Sequence, residues 1–382
     1  MTSSKELMHQ QTSHKELMFP PHEEEEHDRS PLSLDDIPYD VVFRILVALP
    51  TESVCTIKCV SRWLYELLCS PYFVRVHFLT TPSHPSNCVA LISIYSGWFF
   101  LSISSFINVK PKRLRLVKPP VGERLLEHPI TSNGVVCYKA YPDYATTIVY
   151  NPATNKRVSV RKFDSYQSIR AFFFDPATEN FMILVQTSDF GHSGYSIFNS
   201  AIGLWKSIAN PFQLTYEGSI LCVDSVCYVL EKFIRFDMFA FNMISEEWVR
   251  IPLPCDSCPT CFRKLIEWGG QVCLVLDSGS RDLKIWKLRE EERKWEKLID
   301  LHLEKRSRIP SGTLKMERFS IIPYRQQSLF IVRGMNASIE VDVYDIGNKT
   351  WDFSRRFFWR PRVHDLACPQ ISPFAPTILR CK

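Results

Sequence analysis

The stretch Tyr150-Asn151-Pro152-Ala153-Thr154-Asn155-Lys156-Arg157 decides how the larger part of this chain is read. An aromatic residue closes an apolar run, an Asn turns the chain, and a large residue follows six positions after the Asn. The pattern recurs: Phe198-Asn199 leads to Trp205, Phe241-Asn242 to Trp248, and Tyr344-Asp345 to Trp351. Ile285-Trp286-Lys287-Leu288 leads to Trp295, with a charged turn (Arg289–Lys294) in place of the Asn. The anchors Arg157, Trp205, Trp248, Trp295 and Trp351 stand 48, 43, 47 and 56 residues apart. Periods of about 40–50 residues suit one four-stranded propeller blade. The Asn or Asp bends the chain between two outer strands, and the Trp on the returning strand packs into the blade interface. A β-sandwich with incidental Trp placement is the competing reading.

Helical periodicity nearly disappears from about residue 85 to 375. Short runs rich in Val, Ile, Phe, Tyr and Trp alternate with turn clusters, as in a many-stranded β domain. Examples are Ala171–Phe174, Phe181–Val185, Cys227–Leu230, Val272–Leu276, Leu283–Leu288, Leu329–Val332 and Ile339–Tyr344.

Residues 32–78 are of another kind: LSLDDIPYDVVFRILVALPTESVCTIKCVSRWLYELLCSPYFVRVHF. Asp36 can cap a helix and Pro38 suits its first turn. Val41, Val42, Ile45, Leu46 and Leu49 then recur at helical spacing until Pro50. Thr51 or Ser53 starts a second helix carrying Val54, Ile57 and Val60. Ser61 opens a third with Leu64, Leu67 and Leu68, and Ser70-Pro71 stops it. The expectation is three short helices. They carry more apolar surface than such helices hide among themselves, so part of it packs against a partner or against the rest of the chain.

Residues 1–31 hold seven acids and three bases (Lys5, Lys15, Arg29), a short echo of Lys5-Glu6-Leu7-Met8 at Lys15-Glu16-Leu17-Met18, and the run Glu23–Glu26. Their apolar content is too low to offset chain entropy, so a disordered acidic tail is expected. The whole chain of 382 residues is 45% hydrophobic and 23% charged, which excludes disorder over most of its length. No secretory signal opens it, and no apolar run reads as a membrane span. Thirteen scattered cysteines read as reduced thiols of the cytosol or nucleus. The net charge of +5 is mild, and without an Arg-rich helix or zinc-finger spacing no nucleic-acid partner is expected.

The helical stretch resembles an F-box. Ile37-Pro38, Asp40, Ile45-Leu46, Leu49-Pro50, Val60-Ser61-Arg62 and Ser70-Pro71-Tyr72-Phe73 all fall in the family's register. Ile37 replaces the usual Leu, and Trp63 sits one position early, so Leu64 occupies the usual Trp place. The β-rich stretch resembles the kelch-like F-box-associated domain of plant F-box proteins. The matching segments are Ser132-Asn133-Gly134-Val135-Val136-Cys137, Val149-Tyr150-Asn151-Pro152-Ala153-Thr154 and Phe173-Phe174-Asp175-Pro176-Ala177-Thr178. Regular kelch repeats carry a Gly-Gly pair in each blade; here only Gly269-Gly270 appears, which fits the degenerate associated domain better.

The resemblance implies a multidomain chain: an acidic tail over 1–31, a three-helix F-box module over 32–78 and an all-β, propeller-like domain over 85–375. It implies a non-catalytic, substrate-recognition subunit of a Skp–cullin–F-box ubiquitin ligase, in the nucleus or the cytoplasm, without a cofactor. The Skp-type adaptor would be held by Ile37, Pro38, Val41, Val42, Ile45, Leu46, Leu49, Pro50 and Leu64, some of which must be the module's own core. A cullin would be engaged indirectly, and the target protein would be bound by the β domain. The alternatives are a propeller enzyme with an unrelated helical appendage, and an F-box scaffold outside any ligase.

Few residues invite other chemistry. Cys255, Cys258 and Cys261 have a spacing that can hold zinc, but a closed site needs a fourth ligand, and a loop is the better reading. No G-x-S-x-G, H-E-x-x-H or G-x-x-x-x-G-K-[ST] occurs. Arg289–Lys297 reads as a solvated hairpin tip, and Lys110–Arg115 as a solvated basic loop.

Overall fold

The computed structural model describes residues 37–80, 89–94, 97–102, 116–117, 124–126, 129–141, 143, 145–161, 167–189, 192–209, 212, 218–231, 237–254, 262–277, 282–302, 319–324, 327–335, 338–358, 370–374 and 378–379. The tail over 1–31, the basic segment 110–115 and the cysteines at 255, 258 and 261 lie outside them. Backbone contacts divide the chain into two units, 1–42 and 43–382.

In the first unit, Ile37 and Pro38 lead into α1 (Tyr39–Val47), and the N–H groups of Val41 and Val42 donate to the Pro38 carbonyl at 3.0 and 3.2 Å. The second unit opens with the remainder of α1, then α2 (Thr51–Ile57), α3 (Arg62–Cys69) and α4 (Pro71–Thr80). Pro50, in an extended conformation (ψ 148°), precedes α2. Ser61 caps α3, its side chain accepting from the Leu64 N–H at 3.2 Å.

The stretch holds four helices where the sequence predicts three. Ser70-Pro71 ends α3 but also begins a fourth helix. Proline suits the first helical position, where its missing N–H would have had no intrahelical partner. The Ser70 hydroxyl accepts from the Phe73 N–H at 3.2 Å. α4 buries Phe73, Val74 and His77. The Phe43 ring of α1 stacks on Tyr72 and meets Phe73 edge-on, both at 5.4 Å between centroids.

The β region forms six antiparallel sheets among the described residues. The first contains β1 (Val89–Ile94), β2 (Gly97–Ser102), β3 (Leu116–Val117) and, from the far end of the chain, β25 (Gln370–Phe374). The second contains β4 (Arg124–Leu125) and β5 (Ile130–Ser132), both paired along β6 (Val135–Tyr141), then β7 (Thr146–Asn151) and β8 (Lys156–Arg161). The third is β9 (Gln167–Phe174), β10 (Phe181–Asp189), β11 (His192–Asn199) and β12 (Leu204–Ile208). The fourth is β13 (Gly218–Val223), β14 (Val226–Glu231), β15 (Asp237–Asn242) and β16 (Glu247–Pro252). The fifth is β17 (Phe262–Trp268), β18 (Gln271–Asp277), β19 (Asp282–Arg289) and β20 (Lys294–His302). The sixth is β21 (Phe319–Tyr324), β22 (Ser328–Met335), β23 (Ser338–Asp345) and β24 (Thr350–Phe358).

The innermost strands touch in a closed cycle: β25, β5, β9, β13, β17, β21 and back to β25. The sheets are therefore blades of a propeller. Its ring closes where a C-terminal strand supplies the inner position of the first blade, β25 pairing with β1. The apolar core lies between successive blades. Leu184, Tyr195 and Ile197 of the third blade meet Cys227, Phe239 and Phe241 of the fourth. Tyr228 and Met238 of the fourth meet Val272 and Leu274 of the fifth, whose Cys273 and Ile285 meet Ile321 and Ile331 of the sixth. A sandwich would bury one inner layer between two sheets; this chain buries a separate layer at each of these three junctions.

The repeat read from the sequence is a register rule. Tyr150, Phe198, Phe241, Leu288 and Tyr344 on third strands lie directly opposite Arg157, Trp205, Trp248, Trp295 and Trp351 on fourth strands. Each pair encloses a turn whose last residue is left-handed: Asn155, Gly203, Glu246, Arg293 and Lys349, with φ of 54°, 70°, 60°, 52° and 55°. The leading Asn or Asp accepts from the backbone inside the turn. Asn199 takes the Ala201 N–H, Asn242 the Ile244 N–H and Asp345 the Asn348 N–H, each at 2.9 Å. The Trp indoles reach back one blade: Trp205 donates to the Arg161 carbonyl at 3.3 Å, Trp248 to Ala209 at 3.0 Å and Trp295 to Pro252 at 2.8 Å.

Candidate partner-binding faces

The nine residues expected to hold an adaptor separate by exposure. Ile37, Pro38, Val41 and Ile45 are exposed, Ile45 at 54%. Leu49 and Pro50 are half-buried. Val42, Leu46 and Leu64 are buried, Leu46 at 5% and Leu64 at 4%. Val41 and Ile45 are four apart on α1 and therefore share one face. Leu46 stands about 100° further round the same helix, which takes it inward.

The Trp63–Leu64 exchange noted in the sequence has a structural outcome. Trp63 is 44% exposed, while Leu64 is buried with Leu67 and Leu68 on the inner side of α3. Tyr65, Tyr72 and Leu79 are exposed as well. Sequence reasoning did not select these, because the Ser70-Pro71 stop hid α4 and with it the outward positions of Tyr72 and Leu79.

His77 sits fully buried on α4, its Nε2 2.9 Å from the Leu49 carbonyl. The carbonyl can only accept, so that nitrogen carries the proton. Burial lowers the His77 pKa, the Leu49 carbonyl opposes the shift, and the charge of Lys58 adds to it. The ring ties α4 to the segment between α1 and α2.

The turn of residues 152–155 links three parts of the second unit. The Cys55 thiol of α2 donates to the Ala153 carbonyl at 3.3 Å, and burial pushes that thiol up. Asn151 Oδ1 accepts from the Ala153 and Thr154 N–H groups at 2.9 and 3.3 Å. Asn151 Nδ2 donates to the Leu379 carbonyl at 2.7 Å, beside the buried Ile378 and Leu379. A neighbouring motif stitches blades: the Ser132 hydroxyl accepts from the Phe174 N–H at 3.1 Å, and Asn133 Nδ2 donates to the Phe174 carbonyl at 2.8 Å. Asn133 and Gly134 make the intervening turn with φ of 47° and 79°.

The Arg289–Lys297 tip is a hairpin of exposed charges, with Arg289 2.8 Å from Glu296. It is also anchored: the Tyr228 hydroxyl of the preceding blade donates to Glu290 at 2.7 Å. Among the described residues, no group of three or more His, Cys, Asp or Glu is placed to hold a metal ion. No helix among them is long and apolar enough to cross a membrane.

A family model agrees with this architecture. Residues 92–338 match the family described as the F-box associated beta propeller domain. The F-box protein At5g65850 of Arabidopsis thaliana is 23% identical over 292 residues, covering 68% of this chain and 70% of that protein. The F-box protein At1g47340, from the same plant, is 22% identical over 374 residues, covering 88% of this chain and 76% of its own. A chain in the crystal structure of a nidogen/laminin complex aligns over 76% of this one and 99% of its own length, with 11% identity and a TM-score of 0.45. The blade register, the inter-blade Trp bonds and a family match over well more than half of the sequence place this chain in the F-box associated β-propeller family.

Proposed function

We propose that this chain is a substrate-recognition subunit of a Skp–cullin–F-box ubiquitin ligase, acting in the nucleus or the cytoplasm. Residues 32–80, the expected module extended by the end of α4, dock a Skp-type adaptor, which connects to a cullin. The propeller within 85–375 binds the target, and 1–31 is an appended acidic tail. The chain makes and breaks no bonds; it raises the local concentration of target lysines near a charged ubiquitin-conjugating enzyme.

One observation carries the reading. Among the described residues, nine of the fourteen exposed large hydrophobics (Ile37, Tyr39, Val41, Ile45, Val60, Trp63, Tyr65, Tyr72 and Leu79) fall within the short helical stretch. Apolar residues that a small fold leaves uncovered mark a protein interface, and buried aliphatic and aromatic anchors carry most of the affinity in such interfaces. Relatives that are themselves F-box proteins support the same assignment.

The test is co-purification of adaptor and cullin with the full chain and with Ile45→Asp. Ile45 is exposed, so the variant keeps its fold and loses both partners. Retention of the adaptor by a folded Ile45→Asp protein sinks the reading. Adaptor without cullin in the unsubstituted chain identifies a scaffold outside the ligase.

A further inference from the structure

Cys222 and Cys227 face each other across the hairpin of β13 and β14. The two-residue turn Asp224-Ser225 joins the strands, and Val223 lies opposite Val226 as the pair that closes it. That closing pair is of the hydrogen-bonded kind. The next pair, Cys222 with Cys227, is therefore of the other kind, in which Cα atoms stand about 4.5 Å apart and side chains approach most closely. Opposite residues project to one face of a sheet. Both cysteines accordingly pack in the layer between the third and fourth blades, Cys227 among Ala171, Leu184 and Phe241 and Cys222 against the same cluster.

The two thiols, both free in the structure, differ in their surroundings. Cys227 is wholly buried and Cys222 is half-buried. Contact with the Cys222 thiol pushes the Cys227 thiol up, and burial adds to the shift. Cys227 thus keeps its proton, and Cys222 is the thiol that meets an oxidant first. Among the described residues no other cysteine lies opposite a cysteine on a neighbouring strand. Cys137 faces Ile130 and Val149, and Cys273 faces Ile266 and Lys287.

We propose that Cys222 and Cys227 are a redox modification site, which hydrogen peroxide converts to a reversible cross-strand disulfide. The Cys222 sulfur attacks one peroxide oxygen. An S–O bond forms, the O–O bond breaks, and the other oxygen leaves as water with the Cys222 proton, giving a sulfenic acid. The Cys227 sulfur then attacks the Cys222 sulfur. The S–S bond forms, the S–O bond breaks, and the hydroxyl leaves as a second water with the Cys227 proton. The two thiols give up two electrons, which the peroxide takes. A Cα separation near 4.5 Å lies at the short end of the roughly 4.4–6.8 Å that disulfides span, so the bond is strained. Strained disulfides are the labile ones, and a dithiol reopens this one by two exchange steps.

The test exposes the folded full chain to hydrogen peroxide, quenches it in acid, unfolds it and alkylates it with iodoacetamide. Trypsin then releases residues 207–232, which contain these two cysteines and no other. Mass spectrometry finds this peptide two hydrogens lighter and unalkylated, and cleavage before Asp224 leaves its halves joined. Dithiothreitol before alkylation restores two alkylated thiols. In Cys227→Ser, with folding checked by circular dichroism, Cys222 stops at the sulfenic acid and is labelled by dimedone. In Cys222→Ser, Cys227 stays an alkylatable thiol. The proposal is overturned if both thiols of the unsubstituted chain remain fully alkylatable at a dose that oxidises any other cysteine. It is equally overturned if either is joined to a different cysteine, or if the peptide carries sulfinic acid and no disulfide. Peptide mapping of the unsubstituted chain decides the matter even where a serine variant fails to fold.

Discussion

Asn151 donates its side-chain amide to the main-chain carbonyl of Leu379, a buried bond of 2.7 Å between residues 228 positions apart. The same side chain holds the 152–155 turn through its oxygen. Asn151 thus shapes a turn of the second blade and fixes the segment that follows the ring-closing strand β25. Aspartate in its place keeps the accepting oxygens and removes the donor. Asn151→Asp is expected to lower stability by about 1–3 kcal/mol, because the bond to the Leu379 carbonyl is lost and a carboxylate oxygen faces that carbonyl instead. Deletion of 375–382 removes the same bond, so the two changes combined cost less than their sum. Urea unfolding midpoints of the two single variants and the double measure this; strict additivity would show that the bond does not couple them.

The indole ladder predicts a graded series. Trp295→Phe and Trp248→Phe keep an aromatic ring but forfeit the bonds to Pro252 and Ala209. Each is expected to cost about 1 kcal/mol. Trp248→Ala also loses the ring contacts with Phe241 at 4.7 Å and Tyr195 at 5.9 Å, and should cost about 2 kcal/mol or more. Chemical denaturation at unchanged m-value gives the ranking. Equal loss from Trp248→Phe and Trp248→Ala would place the whole effect in the N–H and none in packing.

These bonds also explain what was legible in the sequence. A cross-strand pair that encloses a turn of fixed length forces a fixed spacing between its two large residues, so five blades left a local signature. The first blade left none, because its third and fourth strands are not joined by a short turn: Phe99 lies opposite Leu116 and Trp98 opposite Val117. Loops that close over such distances leave no periodicity to read. Fold and site diverge most sharply at Ile45 and Leu46. Both are apolar and adjacent, and only the helix's rotation against its neighbours turns one outward and the other inward. That rotation involves Phe43 packing on Tyr72 and Phe73, which belong to the helix hidden behind Ser70-Pro71.

The left-handed end of each turn gives paired substitutions of opposite sign. Arg293 holds φ 52°, which costs an L-residue about 1–2 kcal/mol, and Arg293→Gly should raise the melting temperature. Gly203 holds φ 70°, and a Cβ there would meet nothing within 4 Å, so Gly203→Ala is destabilising through backbone strain alone, by about 1 kcal/mol. Calorimetry on the two variants decides. A neutral Gly203→Ala would mean that the turn relaxes to another conformation.

His77 predicts a pH dependence confined to the helices. Burial lowers its folded-state pKa, so the neutral ring is the form that packs beneath Leu49. The unfolded chain has an ordinary His pKa of about 6.5 and binds more protons than the folded state between that value and the lowered one. The stabilisation is therefore fully present above about pH 6.5 and is lost as pH falls through the folded-state pKa. His77→Gln keeps an N–H donor within reach of the Leu49 carbonyl and cannot take up a proton. Its helices should start slightly less stable at neutral pH and hold that stability on acidification, while those of the unsubstituted chain weaken. Amide hydrogen exchange of α4 between pH 5 and pH 7.5, corrected for intrinsic rates, measures both. Parallel profiles in the two proteins would assign the acid response to groups other than His77.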